Sequence, residues 1–105
     1  MQIVISTAGT ALNDPDNCRA FSVVVPATVS ADQLPDLVAA AGIGELDPDG
    51  NHVRVDVQAV RAMAAGRVSP DWDGDFTAML TYARSKGWLD ASGSRVRAHI
   101  QRAES

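Results

Sequence analysis

Two short segments of the chain carry histidine, arginine or aspartate at every second position. They are residues 52–56, with the sequence HVRVD, and residues 95–99, with the sequence RVRAH. Alternate side chains of a β-strand point to the same side, so each segment predicts a strand with one polar and one apolar face. If the two strands pair, one face of the sheet carries six polar side chains, namely His52, Arg54, Asp56, Arg95, Arg97 and His99.

These residue types are suited to two kinds of chemistry. Histidine titrates near neutral pH, so His52 and His99, together with Asp56, are candidate catalytic residues for general acid–base chemistry. Arginine binds carboxylates and phosphates through paired hydrogen bonds. The candidate ligand- or anion-binding residues are therefore Arg54, Arg95 and Arg97. The alternative is that this face of an antiparallel sheet simply meets water and has no function.

The sequence predicts neither a metal site nor a cofactor. The two histidines and Asp56 lack the short ligand spacing that is typical of zinc sites. A single cysteine, Cys18, excludes an intramolecular disulfide. Although Cys18 adjoins Arg19, the sequence places no base beside it, and we expect an unreactive thiol.

Composition limits the class of protein. The chain has 105 residues, 46% of them hydrophobic, and a formal net charge of -4 at pH 7, which predicts one domain over residues 1–105 and disfavours nucleic acid as a partner. The N-terminal residues lack a secretory pattern, and the apolar runs are too short to span a bilayer, so we expect a cytoplasmic protein without membrane contact.

The charge is unevenly distributed along the chain. Residues 1–75 hold eleven acids and four arginines, whereas residues 76–105 hold five cations and two acids. A basic end on an acidic body can mark a surface for an anionic partner.

The first part of the chain, residues 1–26, predicts a pair of strands. QIVIS at residues 2–6 and FSVVV at residues 21–25 are rich in the β-branched residues that strands favour. Between them, residues 9–19 include the turn sequence Asn-Asp-Pro-Asp, which predicts a loop too long for a tight hairpin. Pro26 ends the second strand.

Three helices are predicted after these strands. Ser30 and Gln33 match a capping box, in which each side chain hydrogen bonds to the backbone of the other residue. Asp56 can cap a short second helix. The third begins in the acid-rich residues 71–75, where the helix dipole favours negative charge, and ends at Gly87.

The predicted order of elements is β-β-α-β-α-α-β-β, which indicates the α+β class. Short antiparallel strands pack with about three helices, and a helical and hairpin part over residues 30–102 follows the N-terminal strand pair. The order in that part resembles the winged-helix family. YARSKGWLD at residues 82–90 and GSRVR at residues 93–97 look like a recognition helix that runs into its wing.

The resemblance implies a nucleic-acid-binding surface. In winged-helix proteins the second of the paired helices enters the major groove and the wing touches the backbone. The contacts implied for this chain are Thr77, Thr81, Arg84 and Ser85 on the helix, and Arg95 and Arg97 on the wing.

Three functional hypotheses remain open. The first is a small non-catalytic binding or protein-interaction module, because no nucleophile–base or metal constellation stands out and short strands can leave an edge for a second chain. The expected partner is then a protein, with a homodimer as one form. The alternatives are a winged-helix-like nucleic-acid-binding protein, and an enzyme or accessory subunit that uses the polar sheet face.

Overall fold

The computed structural model describes residues 1–18 and 20–103, which contain six strands and three helices. The α+β class and the order of the predicted elements are confirmed, and the structure adds two short strands that the sequence does not predict. In chain order the elements are β1 (Gln2–Ser6), β2 (Gly9–Asn13), β3 (Ser22–Pro26), α1 (Leu34–Ala41), β4 (Gly44–Leu46), β5 (His52–Asp56), α2 (Val57–Ala64), α3 (Trp72–Ser85) and β6 (Arg95–Ala103).

The strands form one mixed sheet in the order β2-β1-β3-β6-β5-β4. Its central strand, β6, has two partners along its length. The first half pairs antiparallel with β5, and the second half pairs parallel with β3, where Val23 lies opposite Ile100. β1 also pairs parallel with β3, so two of the pairings are parallel where the sequence favours antiparallel strands.

The apolar alternation of the strands builds the core. Strands β1, β3, β5 and β6 bury every second residue, as the valines of β3 and β5 illustrate, and the helices cover that face. Representative buried side chains are Ile3, Ile5, Val23, Val25, Val53, Val55, Val96 and Ala98 from the sheet, and Val38, Val60 and Phe76 from the helices.

Strand β2 occupies part of the segment that the sequence predicts as a loop. Ser6 pairs with Gly9, so only Thr7 and Ala8 separate β1 from β2 in a tight hairpin. Gly9 has a φ of +131°, which a glycine adopts without strain. Because Leu12 is the one buried side chain in β2, the strand carries little hydrophobic alternation that could identify it.

The short strand β4 begins at a second special glycine. Gly44 has a φ of +153°, and a Cβ atom built on it would lie 1.9 Å from the carbonyl oxygen of Arg54. This close approach lets the backbone of β4 pair with β5, where Glu45 lies opposite Arg54. Residue 44 therefore needs a glycine for both its dihedral angle and its lack of a side chain.

The capping box predicted before α1 is present. The Gln33 side chain accepts from the Ser30 amide at 2.9 Å, and Ser30 Oγ accepts from the Gln33 amide at 3.2 Å. The helix itself begins at Leu34, one residue after the box.

Helix α3 ends as its sequence predicts. The amide of Trp88 donates to the Ala83 carbonyl at 2.9 Å, and the amide of Gly87 donates to the Arg84 carbonyl at 3.1 Å, which is the Schellman pattern. At the other end of the helix, Trp72 is buried.

No helix in the described residues has the length and apolar character needed to cross a membrane.

The hairpin that follows α3 belongs to the same sheet. Leu89 forms an antiparallel bridge with Val96, which also pairs with Val55 of β5. β6 therefore lies between β5 and the segment around Leu89. This pairing holds the end of α3 beside β6, so that side chains of α3 meet the histidine end of the polar strands.

Candidate functional site

Strands β5 and β6 pair in a register that brings the six polar side chains together. The cross-strand pairs are His52 with His99, Arg54 with Arg97, and Asp56 with Arg95. We call these six residues the polar face.

The two arginines that face each other are neutralised by acids from the turn before β5. Like charges directly opposite each other destabilise a sheet. Asp47 Oδ2 lies 3.1 Å from Arg97 Nε and 3.5 Å from Arg54 Nε, and Asp49 Oδ2 lies 2.7 Å from a terminal nitrogen of Arg97. Asp47 is only 9% exposed, the one buried polar or charged residue in the described chain. The arginine pair is thus held in an ion network.

The far end of the polar face forms a second ion network. Arg95 Nε donates to Asp56 at 2.9 Å, and its guanidinium group lies 3.1 Å from Glu45. The hydrogen bond that Asp56 accepts from Arg95, together with the charge of Glu45, raises the pKa of Arg95. Among the candidate catalytic residues, the structure brings His52 and His99 together but places Asp56 beyond the arginine pair.

The two histidines are in direct contact. Their ring centroids are 5.2 Å apart, with an angle of 67° between the ring planes. His52 Nδ1 lies 2.7 Å from Asp49 Oδ2. Hydrogen bonds from the backbone of Asn51, then from His52 and Arg97, lower the pKa of Asp49 from 3.8 to about 2.

The ionised carboxylate of Asp49 fixes which ring nitrogen of His52 carries the proton when the ring is neutral. An ionised carboxylate only accepts hydrogen bonds, so the proton of this contact belongs to His52 Nδ1. In the neutral ring, Nε2 is then unprotonated and can accept a hydrogen bond or bind an ion.

The histidine pair lies at one end of a cleft between α3 and β6, which we call the aromatic cleft. Its volume is about 230 Å³. Tyr82 and Trp88 stand at its edge, with ring centroids 5.9 Å apart, and they are 57% and 43% exposed. The lining residues are Phe21, His52, Met79, Tyr82, Ala83, Trp88, Val96, Arg97 and His99.

Two of the α3 residues implied by the winged-helix resemblance use their hydroxyl groups to hydrogen bond to the backbone of α3 itself. Thr81 Oγ1 donates to the carbonyl of Thr77 at 3.0 Å, and Ser85 Oγ donates to the carbonyl of Tyr82 at 2.6 Å. Arg84 is exposed at the end of α3.

The hairpin turn that corresponds to the wing is organised by an acid. Asp90 accepts from the amides of Ser94 and Arg95, at 2.8 and 3.2 Å. Arg95 and Arg97, the two wing cations, pair with the carboxylates described above. The two cations implied for the wing are thus engaged in ion pairs, whereas Arg84 at the end of α3 is exposed and lies near the hairpin turn at Gly93.

Cys18 lies in a neighbouring depression of about 520 Å³, which shares Met79 and Tyr82 of α3 with the aromatic cleft. Burial and the neighbouring Asp75 raise the pKa of its thiol. The thiol therefore stays protonated at neutral pH, which agrees with the expectation of an unreactive cysteine.

Sequence reasoning missed several residues of this region. Asp49 lies three positions before His52 in a turn sequence, and that spacing is the signal that could have identified it. Trp88 was identified only as part of a helix end, and Tyr82 only as part of the helix. Asp47, Phe21 and Met79 carry no comparable signal, because their positions depend on the tertiary fold.

The arrangement as a whole combines an apolar cleft with two imidazole rings at its end. Such a site can hold an apolar group, exchange a proton or provide nitrogen ligands. Within the described residues, no group of three or more histidine, cysteine, aspartate and glutamate side chains is placed to hold a metal ion. Comparison with protein-family models, curated proteins and solved structures finds no match to this chain.

Proposed function

We propose that this chain is a non-catalytic, cytoplasmic binding module that holds an apolar side chain of a partner protein in the aromatic cleft. One observation carries the proposal. Tyr82 and Trp88 are the exposed large hydrophobic side chains of the described residues, and they lie together at the edge of the cleft. Exposed tyrosine and tryptophan beside a pocket are typical of the residues that dominate binding energy at protein interfaces.

The size of the cleft favours an anchoring side chain over a whole small molecule. Sites for drug-sized ligands have volumes of about 300–1,000 Å³, and this cleft has about 230 Å³. A single large side chain of a partner is a better match for such a volume.

Charge at the end of α3 favours acidic residues beside that anchor. Lys86 Nζ lies 5.5 Å from the centre of the Tyr82 ring, and Arg84 is exposed two positions earlier. In contrast, Arg97 within the cleft is already neutralised by Asp47 and Asp49. The partner segment we propose therefore carries a large apolar residue flanked by carboxylates.

The sheet edges support strand addition less well than the cleft supports an anchor. β4 has three residues and carries the charged Glu45, and both features discourage pairing with another chain. On the opposite edge, Arg67 donates to the carbonyl of Leu12 in β2 at 2.7 Å. A homodimer formed through an edge remains a prediction.

The other two hypotheses remain predictions with narrower support. For nucleic acid, Arg84 and Lys86 are the available cations near the proposed helix surface. For an enzyme, the histidine pair satisfies one requirement, because both rings line one concave site within contact distance. For the enzyme hypothesis, however, no serine, threonine or cysteine side chain among the described residues hydrogen bonds to His52 or His99.

A peptide titration tests the binding proposal. The probe is a synthetic peptide with a central phenylalanine and two acidic residues on each side, followed by amide NMR of the labelled protein. We expect shifts confined to residues around the cleft. Trp88→Ala should weaken binding by about tenfold or more, the scale at which truncated interface anchors act.

Matched peptides and variants separate the contributions of the aromatic wall, the apolar anchor and the acidic residues to peptide binding. Trp88→Phe should retain most of the binding, because it keeps an aromatic wall at the cleft. Replacing the central phenylalanine of the peptide by alanine should abolish binding, and replacing the acids by lysines should weaken it. Shifts on another surface, or equal binding by Trp88→Ala, would contradict the proposal.

A further inference from the structure

The histidine pair occupies a position where cross-strand side chains come closest. The amide of Asp47 donates to the carbonyl of His52 at 2.8 Å, so the backbone of His52 hydrogen bonds towards β4. His52 and His99 are therefore a non-hydrogen-bonded pair of β5 and β6, the type in which Cα atoms are only about 4.5 Å apart. This direct opposition replaces the short sequence spacing that the two histidines lack.

The distance between the rings of His52 and His99 is compatible with both rings binding the same metal ion. Imidazole nitrogen binds Zn²⁺ at about 2.0–2.1 Å, so two rings on one ion have centroids within roughly 6.5 Å of each other. The observed centroid separation is 5.2 Å.

Asp49 prepares one of the rings for metal binding. Metal-binding histidines usually donate their second ring N–H to a carboxylate or carbonyl, which fixes the tautomer and orientation. Asp49 accepts in this way from His52 Nδ1 at 2.7 Å, which directs the lone pair of Nε2 away from the carboxylate.

The charged groups nearest the histidines balance one another. Asp47 and Asp49 pair with Arg54 and Arg97, so the two guanidinium groups beside the histidine pair are compensated and do not repel a cation bound there.

We propose that His52 and His99 bind a divalent first-row transition ion, such as Zn²⁺ or Ni²⁺, through one imidazole nitrogen each. Ions of this class prefer imidazole ligands. The remaining coordination positions face the aromatic cleft, where water or a donor atom of a partner completes them. This inference does not depend on the proposed function, because the two ligands belong to this chain.

Zinc titration of the untagged protein by calorimetry tests the inference. The chain contains only two histidines, so binding through imidazole has one possible origin. Near neutral pH we expect one ion per chain. His52→Gln and His99→Gln should each remove measurable binding, and Asp49→Asn should weaken it by about tenfold, as loss of a partner of a metal ligand does.

Proton competition gives a second readout. Zinc affinity should fall as the solution is acidified, because protonated imidazole cannot bind a metal ion. Amide NMR with Ni²⁺ should broaden resonances of β5 and β6 around the histidines.

Control variants make the result decisive. Asp75→Asn, at the acid-rich start of α3, should leave zinc affinity unchanged, and far-UV circular dichroism should show that each glutamine variant is folded. Trp88→Ala should keep zinc binding while losing the peptide, so the two proposals fail independently. Equal zinc affinity in the His52→Gln/His99→Gln double variant, or no binding up to millimolar zinc, would overturn the inference.

Discussion

At the residue scale, the acidic turn before β5 controls the chemistry of the polar face. Asp47 lies between two arginines that would otherwise repel each other, and Asp49 accepts from both His52 and Arg97. The turn therefore does more than reverse the chain, since it sets the tautomer of a histidine and cancels the charge of an arginine.

The lowered pKa of Asp49 predicts a dependence of stability on pH. Because its pKa is lower in the folded protein, the carboxylate stabilises the fold fully above pH 3.8, and this contribution is lost as the pH falls towards about 2. Asp49→Asn lacks the contribution. In urea unfolding at a series of pH values, the stability gap between native protein and variant should narrow over that window.

A matched carboxylate provides the control for this prediction. Asp32 is exposed, and Asp32→Asn should show no comparable narrowing. A gap between native protein and Asp49→Asn that stays constant down to the lowest pH would show that Asp49 acts through packing rather than ionisation.

The sequence predicts part of this site for a clear reason. Strand alternation fixes which side chains share a face, and the matched patterns around His52 and His99 therefore identified their common side. The roles of Asp49 and Trp88 depend on how a turn folds back over the sheet and how a helix end lies beside β6. Those placements are tertiary, and no local spacing encodes them.

At the element scale, two glycines in different backbone environments should respond to alanine substitution with opposite changes in the free energy of unfolding. Gly44→Ala places a Cβ against the Arg54 carbonyl, so we expect a loss of about 2–3 kcal/mol in the free energy of unfolding. Gly74 lies within α3 with open space around it, and Gly74→Ala should gain about 0.5–1 kcal/mol from helix propensity. Thermal and urea unfolding measure both changes.

If Gly44→Ala and Gly74→Ala changed the free energy of unfolding in the same direction, the different roles given to the two glycines would be wrong. A neutral Gly44→Ala would mean that β4 moves away from β5 at no cost, and β4 would then contribute nothing to the position of Glu45 beside Arg95.

The elements with strong local signals were predicted well, and those without them were not. The capping box of Ser30 and Gln33 and the glycine end of α3 are local hydrogen-bonding patterns. Strand β2 depends on pairing with β1, and β4 depends on the close approach at Gly44. The parallel pairing of β1 with β3 likewise follows from the path of the whole chain.

At the scale of the whole molecule, β6 joins the two parts of the sheet. The amide of Arg97 donates to Trp88 on one side and the amide of Ile100 donates to Asn51 on the other, at 2.7 and 2.9 Å. By alternation, the amide of Gln101 points to the β3 side. This position connects β3 to β6, and thereby the N-terminal strands to the β4–β5 hairpin.

Gln101→Pro tests that connection. Proline lacks the amide donor and should lower the free energy of unfolding by about 2–3 kcal/mol, through a lost ladder bond and an unsatisfied carbonyl. Gln101→Ala keeps the amide and should cost much less. Urea unfolding compares the two, and equal losses would show that the side chain, rather than the backbone pairing, matters there.

The double pairing of β6 also has a consequence for how the chain folds. Val23 meets Ile100 across about three-quarters of the sequence, and contacts between such distant residues slow folding because a long loop must close first. The β1–β2 hairpin can form early, but the valine-rich edge of β3 stays without its second neighbour until β6 arrives. During that interval β3 is an open strand edge, and it is the part of the chain most prone to pair with another molecule and aggregate.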